Sequence, residues 1–293
     1  MFPLKDRNPT HHVAFITIAL IVVNVLVFVA IQDRGASITG VTLPSGEEVG
    51  IQSGDKFSLQ YAAIPCELTE RGPLDVDDVR NLLRGDTDAC DDADGDPLFA
   101  DKSVWLAVIT SMFLHADWFH LLFNMWFLWI FGNNIEDHVG PVKYIGFYLA
   151  AGIAATVAHV ALQPDSSIPV IGASGAIAGV MGAYLIWFPR APIATILAIF
   201  IFDIRALWLL LGWFVLQFFT GADSQVAWAA HVGGFVFGAV AGALVRQIRP
   251  LCRWVWREPW RSQAYYRWDL TGGSADSYRT HERGRPRFGG RSW

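Results

Sequence analysis

Residues 12 to 31 read HVAFITIALIVVNVLVFVAI, a nearly unbroken apolar run. Its length is about the 20 residues that a helix needs to cross a bilayer. Lys5 and Arg7 precede it, as basic residues precede a secretory leader. A leader's apolar core is shorter, however, at roughly 7–15 residues, so the run reads as an uncleaved first span. Five more apolar stretches follow, at 118–135, 144–162, 170–188, 205–220 and 226–245. Residues 193–202 are apolar as well, but Asp203 and Arg205 break the run, and it reads as an interfacial or loop segment. The pattern predicts an all-α integral membrane protein with six transmembrane helices. Its expected parts are an N-terminal segment (1–11), a first transmembrane helix (12–32), a polar loop (33–102), a five-helix core (103–245) and a polar tail (246–293).

Charge then orients these spans. Only 17% of the residues are charged, against about 25% in soluble chains, and the charges are unevenly placed. Sixteen of the 27 acids lie between Asp33 and Asp101, and 11 of the 22 basic residues lie from Arg246 onward. Lys/Arg-rich connections stay cytoplasmic. With the N-terminus inside, the inside segments carry Lys5 and Arg7, Lys143, Arg190 and Arg205, and the Arg-rich tail. The outside segments are the acidic 33–102 loop and the loops around Asp165 and Asp223. Both termini are therefore expected in the cytoplasm, and the pattern fits a bacterial inner membrane. The tail mixes Arg with Trp254, Trp256, Trp260 and Trp268, and its end is compositionally disordered. Such a stretch is expected to lie on anionic lipid rather than on nucleic acid.

The acidic loop offers two further readings. With Gly95 in the sixth place of a calcium loop, Asp92, Asp94 and Asp101 fall at the third, fifth and twelfth. Cys90 stands where the first carboxylate is needed, so the stretch reads as a solvated loop. Cys66 and Cys90 are positioned to pair only if the loop faces an oxidising space, while Cys252 is expected to be free. No cysteine spacing suggests a metal, and no cofactor is expected.

Polar residues inside spans are costly and are functional candidates. They are Asn24, His115, His120, Asn124, His159, Ser174 and His231. His120 and Asn124 are four apart and share a helix face, which would aim two hydrogen-bond donors at one point. Interhelical hydrogen bonding is the structural alternative. Ser174 lies among small residues, Gly172-Ala173-Ser174-Gly175, at the start of a span. There the backbone N–H groups are unpaired and a reactant has room; a serine bonded to its own backbone is the bland alternative. His231 precedes Gly234, Gly238 and Gly242, a small-residue stripe that allows close helix approach. If this stripe faces Gly175 and Gly179, Ser174 and His231 come within reach of each other. No span carries a carboxylate at this depth, so a Ser–His dyad is expected rather than a triad.

Three segments, HADWFHLLFNM, GASGAIAG and AHVGGFVFG, follow in order on separate spans. Together they resemble the rhomboid family of intramembrane serine proteases over roughly residues 103–245. The stretch FLWIFGNNIEDHVGPVKYIGFYLAAGIAA is also similar to that family. The resemblance implies a six-helix rhomboid-like bundle that cleaves transmembrane protein substrates near the outer face. It implies Ser174 as nucleophile, His231 as general base, and His120 and Asn124 as oxyanion donors. His115, Gly172 and Gly175 would have supporting roles. The family commonly carries a Trp-Arg pair in the first outer loop; here Trp105 is followed by Leu106, a departure that bears on that loop's packing and not on the dyad. Two alternatives remain. One is a catalytically silent relative that binds membrane helices, although such relatives usually lose the Ser or the His. The other is a transporter using the buried histidines, which the lack of inverted repeats and of acids within the spans disfavours.

Overall fold

The computed structural model describes residues 2–42, 46, 48–70, 72–87, 90, 95, 97–220 and 227–248. Residues 91–94 and 96 of the calcium-loop-like stretch, the segment around Asp223, Cys252 and the tail beyond Ile248 lie outside the described residues.

Strand β1 (Phe2–Asp6) leads into helix α1 (Phe15–Leu26), whose last turns widen into a π-helical segment at Val27–Ile31. Strands β2 (Ile38–Thr42) and β3 (Glu48–Gln52) pair antiparallel, followed by short helices α2 (Ser53–Tyr61), α3 (Pro65–Glu70) and α4 (Val76–Leu83). Helices α5 (Val104–Thr110), α6 (Trp118–Phe127) and α7 (Asn133–Val139) come next, with a π-helical segment at Leu128–Gly132 joining the last two. Then follow α8 (Pro141–Leu162), α9 (Ser174–Trp187), strands β4 (Pro192–Leu197) and β5 (Phe200–Arg205), α10 (Ala206–Gln217) and α11 (Trp228–Ile248).

Two stretches, Pro141–Leu162 and Trp228–Gln247, are each long and apolar enough to cross a bilayer. The Val104–Phe113 and Trp118–Val139 segments are long and apolar enough only together, as a pair bent by 81°, and Phe15–Ile31, Ser174–Trp187 and Ala206–Gln217 are shorter apolar helices.

Helix α9 is the central column. Every residue from Gly175 to Leu185 is buried, as expected of a helix that is apolar on all sides. Its neighbours approach at backbone distance. A Cβ placed on Gly238 would collide with the Gly179 carbonyl, and one on Gly234 with the Gly175 carbonyl. The two glycine stripes therefore face each other.

The all-α expectation needs correction, because two small sheets accompany the helices. Residues 193–202, expected as an interfacial or loop segment, form most of a β-hairpin. A two-residue turn closes it between Leu197 and Phe200, with Ala198 at φ 54. Its β-branched and aromatic residues favour the extended chain. The N-terminal segment supplies β1, which pairs with β4 to give the order β1-β4-β5. Residues 33–102, expected simply as an acidic loop, hold a folded unit with its own core, including Val41, Ile51, Leu59, Ile64, Val79 and Phe99. Cys66 and Cys90 form a disulfide within it. Helix α4 carries a capping box between Asp75 and Asp78.

Candidate active site

The site forms where the first turn of α9 meets α6 and α11. Ser174 is the first residue of α9, after a turn that Gly172 makes possible with φ +116, a conformation other residues rarely adopt. The Gly172 N–H donates to the Ser111 carbonyl at 2.9 Å, which anchors this turn to the end of α5. Gly175 brings α9 against its neighbours, since a Cβ there would lie 2.6 Å from that of Ala155. The small residues around Ser174 therefore serve both the turn and the packing.

Ser174 Oγ lies 2.8 Å from His231 Nε2. His231 Nδ1 in turn lies 2.7 Å from Gln217 Oε1, at the end of α10. The Trp213 ring packs beside the imidazole at a centroid distance of 5.8 Å. The Ser–His pair expected from the two stripes is brought together, with Gln217 as a third member.

His120 and Asn124 both reach Gly172. A Cβ on Gly172 would lie 2.7 Å from His120 Nε2 and 3.5 Å from Asn124 Nδ2. The Ala116 N–H donates to His120 Nδ1 at 3.4 Å, which leaves the proton on Nε2, the nitrogen directed at Gly172. Asn124 is buried, and its Nδ2 finds no hydrogen-bond partner among the described residues. A buried donor without an acceptor is costly and marks a place where an anionic or carbonyl oxygen would be welcome. Asp117 caps α6 by accepting from the His120 N–H at 2.9 Å, fixing the start of the helix that carries both donors.

His115 is fully buried, with its ring 5.1 Å from that of His120 in an edge-on arrangement. Its backbone is held by Gln32, at the end of the first apolar helix. The His115 N–H donates to Gln32 Oε1 at 3.0 Å, and Gln32 Nε2 donates to the His115 carbonyl at 2.8 Å. His159 is buried on α8 and Asn24 bonds its own helix, donating to the Leu20 carbonyl at 2.7 Å.

Residues 163–170, which lead into the Ser174 turn, are held by the 33–102 unit. The Cys66 N–H donates to Ser166 O at 3.2 Å, the Ser167 N–H to Thr87 O at 2.8 Å and the Val170 N–H to Ala63 O at 2.7 Å. Inside that unit Lys102 Nζ and the Glu67 carboxylate form a buried ion pair at 2.5 Å. Burial pushes the Glu67 carboxyl up and the Lys102 ammonium down, and the opposite charge of each partner partly offsets both shifts. Among the described residues, no group of three or more His, Cys, Asp or Glu side chains is placed to hold a metal.

Gln217 and Gln32 were not singled out from the sequence. Gln217 carried a usable signal, because it is a polar residue inside the expected 205–220 span.

A family model for the rhomboid domain matches residues 102–248, half of the chain. Over 154 residues the chain is 30% identical to the presenilin-associated rhomboid-like protein A, mitochondrial, of Danio rerio, covering 47% of this chain and 37% of that protein. It is 32% identical over 146 residues to the rhomboid protease GluP of Bacillus subtilis, covering 47% and 26%. It is 31% identical over 161 residues to the RHOMBOID-like protein 12, mitochondrial, of Arabidopsis thaliana, covering 48% and 47%. The matches thus span less than half the length of each of these relatives.

Proposed function

The chain belongs to the rhomboid family of integral membrane proteins, and we propose that it is an intramembrane serine endopeptidase acting through a Ser174–His231 dyad. The observation that carries this reading is the 2.8 Å contact between Ser174 Oγ and His231 Nε2. A serine hydroxyl is a weak nucleophile until a base takes its proton. In the proposed reaction His231 Nε2 accepts that proton as Oγ attacks the substrate carbonyl. The developing oxyanion is held by the Ser174 N–H, His120 Nε2–H and Asn124 Nδ2, donors preset before charge appears. As the tetrahedral intermediate collapses, the C–N bond breaks and His231 returns the proton to the leaving amine. The acyl group stays on Ser174. A water, deprotonated by His231, then hydrolyses the ester and regenerates the hydroxyl.

The substrates proposed are transmembrane segments of membrane-anchored proteins, cut near the outer face. A cavity beside Ser174 is lined by Ser111, Met112, Gly152, Thr156, Gly172 and Ala230. Walls this close suit a small side chain next to the cut. The substrate helix has to unwind locally to present its carbonyl, which favours helix-weakening residues there. We further propose that both termini are cytoplasmic and the Ser174 end is outside. This orientation rests on the positive-inside pattern. So does the bacterial inner membrane, since the relatives named above include mitochondrial as well as bacterial proteins.

Labelling by a fluorophosphonate in detergent tests the reading. The wild-type chain is expected to label, with the rate falling at acid pH as His231 takes up a proton. Ser174→Ala and His231→Ala are expected not to label. Undiminished labelling of Ser174→Ala would point to another nucleophile and overturn the assignment.

A further inference from the structure

The third member of the cluster has a chemistry of its own. Gln217 is buried at the last turn of α10 and bridges two groups. Its Nε2 donates to the Trp213 carbonyl at 3.1 Å, and its Oε1 faces His231 Nδ1 at 2.7 Å. The first bond fixes which way the amide points, because a carbonyl oxygen can only accept. Oε1 is thereby committed to His231, and Nδ1 must carry the proton between them. A neutral imidazole has one N–H, so Nε2 is left with its lone pair toward Ser174 Oγ. The Gln217 backbone is pinned as well, with Thr220 Oγ1 donating to its carbonyl at 2.6 Å.

From this geometry we propose that Gln217 is a positioning residue for His231, holding the imidazole in the tautomer and orientation that make Nε2 the base. The inference rests on the peptidase reading for its kinetic consequences, but its structural half stands without it. A carboxylate in this place would orient the ring equally well, yet inside a membrane it would have to be desolvated beside a neutral histidine. An amide supplies the same acceptor without a charge. The titratable groups that face His231 from other elements are His120 on α6 and His159 on α8. Neither offers a carboxylate, so Gln217 Oε1 is the only side-chain acceptor given to Nδ1 among the described residues.

The test uses the full-length chain in detergent, in three forms: wild type, Gln217→Leu and Gln217→Glu. Nitrogen NMR of ring-labelled histidine reads the tautomer directly, with the His231 signals identified by their loss in His231→Ala. Wild type is expected to show a protonated Nδ1 and a bare Nε2, and Gln217→Leu a mixture of the two tautomers. In cleavage of a transmembrane peptide, Gln217→Leu is expected to lower kcat roughly tenfold to a hundredfold, less than the loss of the base itself, whose contribution is about 10²–10⁴-fold. KM is expected to stay within about twofold, since the lost interaction acts on the base and not on substrate binding. Gln217→Glu restores an acceptor and adds a charge that favours the imidazolium. It is expected to move the acid limb of the pH–rate profile to higher pH while recovering most of the plateau rate. A wild-type His231 protonated at Nε2, or a Gln217→Leu chain with unchanged tautomer and unchanged kcat, would overturn the proposal. An inactive wild type with the expected tautomer would instead sink the peptidase reading and leave the positioning role standing.

Discussion

His120 and Asn124 reach the Gly172 turn from one face of α6. Asn124 Nδ2 is buried without an acceptor among the described residues, so it can only gain when an oxygen with developing charge arrives, and His120 Nε2 is directed at the same turn; the effect of both falls on the transition state. His120→Ala and Asn124→Ala are each expected to lower kcat by about 10²–10³-fold, the loss typical of an oxyanion donor. KM is expected to change little, and steady-state cleavage of a transmembrane peptide gives both constants. A change confined to KM would assign the two side chains to substrate binding instead. This pair was legible in the sequence because a four-residue spacing fixes a shared helix face whatever the tertiary fold. Gln217 and Gln32 were not legible in the same way. Each acts on a residue far away in the chain, 14 and 83 positions off, and nothing local to a glutamine announces which backbone or ring it will meet.

At the scale of elements, the close approach of α9 and α11 was readable from Gly175, Gly179, Gly234 and Gly238, because small residues at four-residue intervals have few other uses in an apolar helix. The β-hairpin was not readable. Its apolar run is short, and runs of that kind do not distinguish strand from helix or interfacial segment. The 33–102 unit was opaque for another reason. Its core is drawn from scattered positions between Val41 and Phe99, and a disulfide and a buried ion pair supplement it. The glycine stripe makes a quantitative prediction. Gly238→Ala puts a methyl group into the Gly179 carbonyl, which forces two helix backbones apart. The expected cost is about 1–3 kcal/mol, as for other overpacked sites. Gly146 on α8 has open space where its Cβ would stand. Gly146→Ala is therefore expected to be neutral or stabilising by about 0.5–1 kcal/mol through helix propensity. Thermal unfolding of the two variants in one detergent compares them; equal midpoints would mean that the stripe does not set the packing.

At the scale of the whole molecule, α9 links two ends that the sequence treats separately. Ser174 begins it, and Tyr184 near its other end is tied to the N-terminal strand. Asp6 Oδ2 accepts from the Tyr184 hydroxyl at 2.6 Å and from Asn134 Nδ2 at 2.6 Å, and Asp6 Oδ1 from the Asn8 N–H at 2.7 Å. The indole of Trp126, on the helix that carries His120 and Asn124, donates to the Pro3 carbonyl at 2.7 Å. Glu136 accepts from the Ile16 and Thr17 N–H groups at 2.9 and 2.8 Å, supplying the cap that α1 lacks in its own sequence. The N-terminal segment thus ties α6, α7 and α9 together at the end away from Ser174, and α7 in turn caps α1 through Glu136. Burial pushes the Asp6 carboxyl up to about 7 from an ordinary 3.8, while the hydrogen bonds from Tyr184 and Asn8 oppose the shift. The folded state therefore holds a proton on Asp6 that the unfolded chain releases at much lower pH. That stabilisation is fully present below about 3.8 and is lost as the pH rises through about 7. Between pH 5 and pH 8 the unfolding temperature of the wild type is expected to fall relative to that of Asp6→Asn, whose amide cannot ionise. Parallel curves for the two chains would mean that Asp6 is already ionised in the folded state. The latch would then hold the far end of α9 independently of pH.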